Sequence, residues 1–117
     1  MPWMKLSDRF YRDPTIDRLS SDAYRLHVNG MNYAADLLTD GHVDADMVPR
    51  VVPKYRPRSL AELVDANLWT RQPDGGYLIH PVPGVTFVEW NKDREWWDAR
   101  RAADAKRQQR KRHGDTS

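Results

Sequence analysis

Apolar residues recur at three- and four-residue steps in two stretches of the chain. In the first, Ala23, Leu26, Gly30, Ala34 and Leu37 fall on one face, with His27, Met31 and Leu38 beside them. This period predicts a helix over about 22–38. Ser20 or Ser21 supplies an N-cap, and Asp22 suits the first turn. Asn29-Gly30 sits mid-helix at roughly 1 kcal/mol relative to alanine. Because the apolar register continues across it, another helix is expected to pack closely there. Thr39-Asp40-Gly41 ends the helix, with Gly41 expected in the left-handed conformation.

The second stretch is 51–80. Ser59 and Glu62 have the S-x-x-E spacing of a capping box, which predicts a helix starting at Ser59. Leu60, Leu63, Val64 and Leu68 give it a buried face. Trp69-Thr70 and 77–80 are β-type runs flanking Asp74-Gly75-Gly76, a turn that takes positive φ cheaply. A helix followed by a small hairpin is therefore expected.

The remaining segments are weaker. Residues 3–6 alternate as an edge strand would, and 7–16 reads as a polar loop. His42-Val43 is a short strand at most. Asp44 or Asp46 caps a short helix ending near Val52, with Met47, Val48, Val51 and Val52 on its apolar side. Pro49 fits only in the first turn, so Asp46 is the better cap. Pro53 and Pro57 bracket an extended loop. Pro81, Pro83 and Gly84 exclude regular structure, 85–88 reads as a strand, and a final helix is expected over about 92–112. From Ala105 onward that helix has no large apolar residue, so its end is a solvated helix or disordered until it binds.

At 117 residues there is room for one domain and a tail. The expected division is 1–90 for the domain and 91–117 for the basic tail. No apolar run approaches the roughly 20 residues that span a bilayer, and 1–10 lacks an export signal. Cysteine is absent, which excludes disulfides and suits a bacterial cytoplasm. The net charge is +2, unevenly spread. Residues 99–117 carry seven Lys or Arg against two Asp, a net +5, which leaves −3 on the first 98 residues. That asymmetry points to an anionic partner, most often nucleic acid.

The succession of Leu19, Ala23 and Leu26, then Tyr33-Ala34, Leu38-Thr39-Asp40-Gly41-His42-Val43, Leu63-Val64, Leu68-Trp69 and Gly76-Tyr77-Leu78-Ile79-His80, then a tryptophan and an Arg-rich tail, resembles a family. It is similar to the small winged-helix (helix-turn-helix) DNA-binding proteins of actinobacterial phages and prophages, some of them similar to N-terminal domains of phage replication-initiation proteins. Asn67 stands where similar sequences usually have the glycine that ends the third helix. Asparagine also tolerates that left-handed position. The resemblance implies an α+β winged helix: a three-helix core, a β-hairpin wing and a long C-terminal basic helix. It implies a phage-type regulator or replication accessory on duplex DNA.

The residues themselves offer candidate contacts. Arg50, Lys54, Arg56 and Arg58 fall in nine positions without an acid, directly before the third helix. Helix N-termini attract phosphate, so this segment reads as a phosphate contact, or else as a solvated loop. Ser59 is a further candidate on that helix. Its other polar residues, Glu62, Asp65 and Asn67, suit base reading poorly, since carboxylates repel phosphate. Arg71 and Gln72 lie on the wing. Arg100, Arg101, Lys106, Arg107, Arg110, Lys111 and Arg112 form a tail that binds DNA by counterion release, or simply favours a helix C-terminus. Trp69 and Trp90 read as core or hairpin anchors. Trp96 and Trp97 are candidate protein contacts, for a host or phage replication or transcription protein, or for a second copy in a homodimer.

Catalytic constellations are missing. His27, His42, His80 and His113 lack ligand spacing, and Gly75-Gly76 is no phosphate loop. Neither metal nor cofactor is expected, and no enzyme.

Overall fold

The structure, a computed structural model, describes residues 4, 6–90, 99, 101–103, 105 and 106. It is α+β, with short helices around one long helix and a three-stranded antiparallel sheet. The polar stretch read as a loop holds two turns of helix. A 3-10 turn covers Phe10–Arg12, and α1 covers Pro14–Asp17. The Asp13 carboxylate accepts from the N–H groups of Thr15 and Ile16, and Pro14 supplies a preset φ at the first position. Phe10 and Ile16 anchor this segment in the core.

The long helix α2 is Ser21–Leu37, capped by Ser20, whose Oγ accepts from Ala23 N–H at 3.2 Å. It ends with Leu38 itself left-handed, φ 54°, rather than at Gly41. The N–H groups of Leu38 and Thr39 both return to the Ala34 carbonyl. Gly41 is left-handed too, but its role is contact: a Cβ there would stand 2.4 Å from Phe87 Cβ. Strand β1 is His42–Val43. The short helix expected as far as Val52 is one 3-10 turn, Val48–Arg50, with Pro49 in its first turn.

Helix α3 is Pro57–Asp65 and begins two residues before the expected start. Pro57, with its fixed φ, initiates it, and Arg56 takes the extended conformation usual before proline. Ser59 is thus inside the first turn and is buried, 5% exposed. It is therefore not a cap, and not on the accessible face expected for a DNA contact. Its inward line continues through Leu63, while Val64, one residue round the helix, is 37% exposed. The helix closes as expected through Asn67, φ 60°, with Leu68 N–H reaching Leu63 O at 3.0 Å.

Strands β2 (Trp69–Arg71) and β3 (Tyr77–Ile79) form the hairpin, and β1 adds on the other side of β3, giving the order β1-β3-β2. Trp69 pairs with Ile79 and His42 with Leu78. After β3 the chain turns at 82–85, where Val82 and Val85 make an isolated bridge. The expected strand at 85–88 is instead the start of α4, Phe87–Trp90. Thr86 and Glu89 are the reason. Thr86 N–H donates to the Glu89 carboxylate, and Glu89 N–H donates to Thr86 Oγ, a reciprocal capping box.

Glu62 does the same work at a distance. Its Oε2 accepts from both the N–H and the Oγ of Ser20, at 2.9 and 3.1 Å. The first turn of α2 is therefore capped jointly by its own serine and by a carboxylate from α3.

The core brings Leu26, Met31, Leu63, Leu68, Trp69 and Ile79 together with almost no exposure. The close packing expected at Gly30 is real, but its partner is an indole and not a helix. A Cβ on Gly30 would lie 2.5 Å from Trp69 Cζ2. Trp69 Nε1–H donates to His27 Nδ1 at 2.9 Å, so His27 must carry its own proton on Nε2, which faces Pro81 O at 3.2 Å. This relay ties α2 to β2 and to the segment after β3. Trp90 packs against the same core, half-buried.

Met4 and Leu6 pack on the core outside any strand. Trp3 and Lys5 of the expected edge strand lie outside the described residues, as do 91–98 with Trp96 and Trp97. So do Arg100, Arg107, Arg110, Lys111 and Arg112. Ala99, 101–103, Ala105 and Lys106 are helical and exposed. No helix of the described residues is long and apolar enough to cross a membrane.

Candidate nucleic-acid interface

The basic loop is held in place from beneath. Asn29, the costly mid-helix residue, donates from Nδ2 to Val51 O at 2.9 Å. That bond fixes the 3-10 turn and the loop after it along one edge of α2. Val52 is buried and Tyr55 half-buried, so the loop is pinned at two further points. Burial pushes the Tyr55 hydroxyl pKa up, with a smaller contribution from Tyr77.

Lys54 and Arg56 then face α2 across a small cleft of about 70 Å³, lined also by Asp22, Arg25, Val52, Pro53, Tyr55 and Ser59. Arg56 Nε is 3.8 Å from Asp22 Oδ2, both side chains largely exposed. Arg50 faces a separate, open cleft of about 520 Å³ with Asn29, Asn32, Tyr33, Asp36 and Met47. The two clefts share an edge of α2, because Asp22, Arg25, Asn29, Asn32 and Asp36 follow each other at helical steps. Arg58 is exposed at the second position of α3. The structure thus brings Lys54 and Arg56 together, sets Arg50 alongside, and adds Arg25. Sequence reasoning missed Arg25 because it belongs to a different element, where it reads only as an outward residue of α2.

The accessible face of α3 carries Arg58, Ala61, Val64 and Asp65. Glu62 is engaged with Ser20, so one of the two carboxylates expected to repel DNA has an intramolecular partner. On the hairpin, Arg71 is exposed. Gln72 is half-buried, and its side chain donates to Thr70 O at 3.1 Å. Arg101 and Lys106 are exposed on the helical tail residues.

A second cluster was not legible from spacing. His42 stands between two aspartates, Nδ1 3.4 Å from Asp44 Oδ1 and Nε2 3.1 Å from Asp74 Oδ2. The three offer metal-ligand atoms within 4.8 Å of one another. Asp74 also accepts from Gly76 N–H at 2.8 Å. A Cβ on Gly76 would meet His42 Nε2 at 2.8 Å. The geometry serves as a clasp between β1 and the hairpin turn.

No family model, curated protein or solved structure matches the chain.

Proposed function

We propose that the chain is a winged-helix protein that binds duplex DNA, as a phage-type regulator or replication accessory. The element order is compatible with that fold: α2, β1, a short helical turn, α3, then a hairpin whose second strand pairs with β1. The observation that carries the reading is the placing of Lys54 and Arg56 beside the first turn of α3, opposite Arg25. Cations there add to the partial positive charge of a helix start, which attracts backbone phosphate. Arg50, Arg58 and Arg71 extend the contact, and the tail with its net +5 supplies a sequence-independent share. The face Arg58, Ala61, Val64 offers little hydrogen bonding to base edges, so phosphate contacts provide most of the affinity.

Fluorescence anisotropy of labelled duplexes across a salt series tests this. The full chain is expected to bind with a steep negative slope of log K against log salt. Changing Lys54, Arg56 and Arg58 together to alanine should flatten it by about 2 to 3, near 0.9 per lost phosphate contact. Ending the chain at Asp98 should flatten it as well. Absence of binding to any duplex at low salt would overturn the reading.

A further inference from the structure

The three groups that clasp β1 to the hairpin turn come from separate places in the chain. His42 is on β1, Asp44 follows it, and Asp74 lies in the turn between β2 and β3. Their spacing suits a shared ion. Atoms that bind one zinc at about 2.0–2.2 Å stand roughly 3.0–3.5 Å from each other. His42 Nε2 is 3.1 Å from Asp74 Oδ2, and His42 Nδ1 is 3.4 Å from Asp44 Oδ1. One ligand atom from each residue lies within 4.8 Å of the other two. The Asp44 side chain is 62% exposed, so a rotation of that side chain closes the remaining spread.

Three further observations point to a ligand and not to an ion pair alone. His42 Nε2 is shielded from solvent and makes no hydrogen bond among the described residues, although Asp74 Oδ2 is within reach. That oxygen therefore sits beside the direction in which the nitrogen points, as a second ligand of one ion does, and not along it, as a hydrogen-bond acceptor does. A polar atom so far from solvent ordinarily has a partner. Gly76 keeps the space against this nitrogen open: a Cβ there would stand 2.8 Å from Nε2 and 2.9 Å from Cε1. Asp74 is also set in advance. Its Oδ1 accepts from Gly76 N–H at 2.8 Å, which leaves Oδ2 for His42, and ligating carboxylates are commonly held by such a bond.

We propose that His42 Nε2, Asp74 Oδ2 and an Asp44 carboxylate oxygen form a site for one first-row divalent metal ion of the Zn²⁺ class. One imidazole with two carboxylates suits such an ion, whereas Mg²⁺ and Ca²⁺ take oxygen ligands. The charge of the ion offsets the two carboxylates, and its bonds fasten the hairpin turn to β1. The site stands independently of the DNA reading.

The test is a titration of the full chain with Zn²⁺, read by calorimetry and by amide NMR. Saturable binding is expected with shifts at 42–44 and 74–76, and with the His42 ring resonances moving in the same step. At about 100 times the Kd, Zn²⁺ should raise the melting midpoint by roughly 10 °C. Asp74→Asn keeps an oxygen for Gly76 N–H and removes the charged ligand. It should retain the wild-type spectrum elsewhere and weaken Zn²⁺ binding by at least about tenfold. His42→Asn should abolish binding at this place. Zn²⁺ shifts that never saturate, or that saturate only outside 42–44 and 74–76, overturn the site. So does a wild-type affinity in Asp74→Asn or His42→Asn, which would place the ion elsewhere in the chain. Mg²⁺ that saturates the same residues as tightly as Zn²⁺ overturns the assignment and leaves an acidic surface only.

Discussion

Gly30 is required by Trp69, whose indole occupies the space a Cβ would take. Gly30→Ala therefore gains up to about 1 kcal/mol of helix propensity and loses about 1–3 to overpacking. Urea unfolding should show a net loss of about 1–2 kcal/mol. His27, in the same relay, is fully buried, and desolvation lowers its pKa from 6.5 to about 4 against a smaller opposing effect of the Pro81 carbonyl. The unfolded chain takes up a proton near pH 6.5 that the folded chain refuses. Stability from this group is thus complete above about pH 6.5 and is lost as the pH falls towards 4, by about 1.4 kcal/mol per unit and about 3 in total. Unfolding free energies between pH 7 and 4.5, with the His27 resonance followed by NMR, check this; an imidazole titrating near 6.5 in the folded state contradicts it. Lys54→Gly separates backbone from charge. It relieves a left-handed lysine, so the fold should hold or gain under about 1 kcal/mol in urea unfolding while duplex binding weakens in anisotropy. Asn67 and Gly30 show what single residues reveal in sequence. Asparagine at a helix end announces left-handed backbone, and a mid-helix glycine announces a close neighbour. Nothing in the glycine says that the neighbour is an indole from a strand.

At the level of elements, two S/T-x-x-E spacings make the limit plain. Ser59 and Glu62 have the spacing without the box, because Pro57 starts the helix earlier and Glu62 turns to Ser20. Thr86 and Glu89 form the box inside a run that reads as β by its Val, Thr and Phe content. Local spacing proposes a cap, and tertiary contact decides it. The hairpin and α2 were legible because period and turn chemistry agree there over long stretches. The 3-10 turn and α1 were not, since each buries only one large residue. Glu62→Ala and Ser20→Ala should each cost about 1 kcal/mol in urea unfolding. The double variant should cost clearly less than their sum, because both changes remove one unit. Full additivity would show that the two residues act separately.

Across the whole molecule, charge and fold are divided. The first 98 residues carry −3 and the tail +5, so the cations of the folded part count by position and not by excess. The candidate site was half legible for that reason. Lys54, Arg56 and Arg58 are close in sequence, whereas Arg25 joins them only when α2 and α3 pack together. The same packing sets an order of events. Newly made α2 should emerge from the ribosome with its first turn capped by Ser20 alone, since the carboxylate that completes the cap arrives with residue 62. A nascent chain ending before Glu62 should fray at Ser20, and the two walls of the basic cleft mature in the same step.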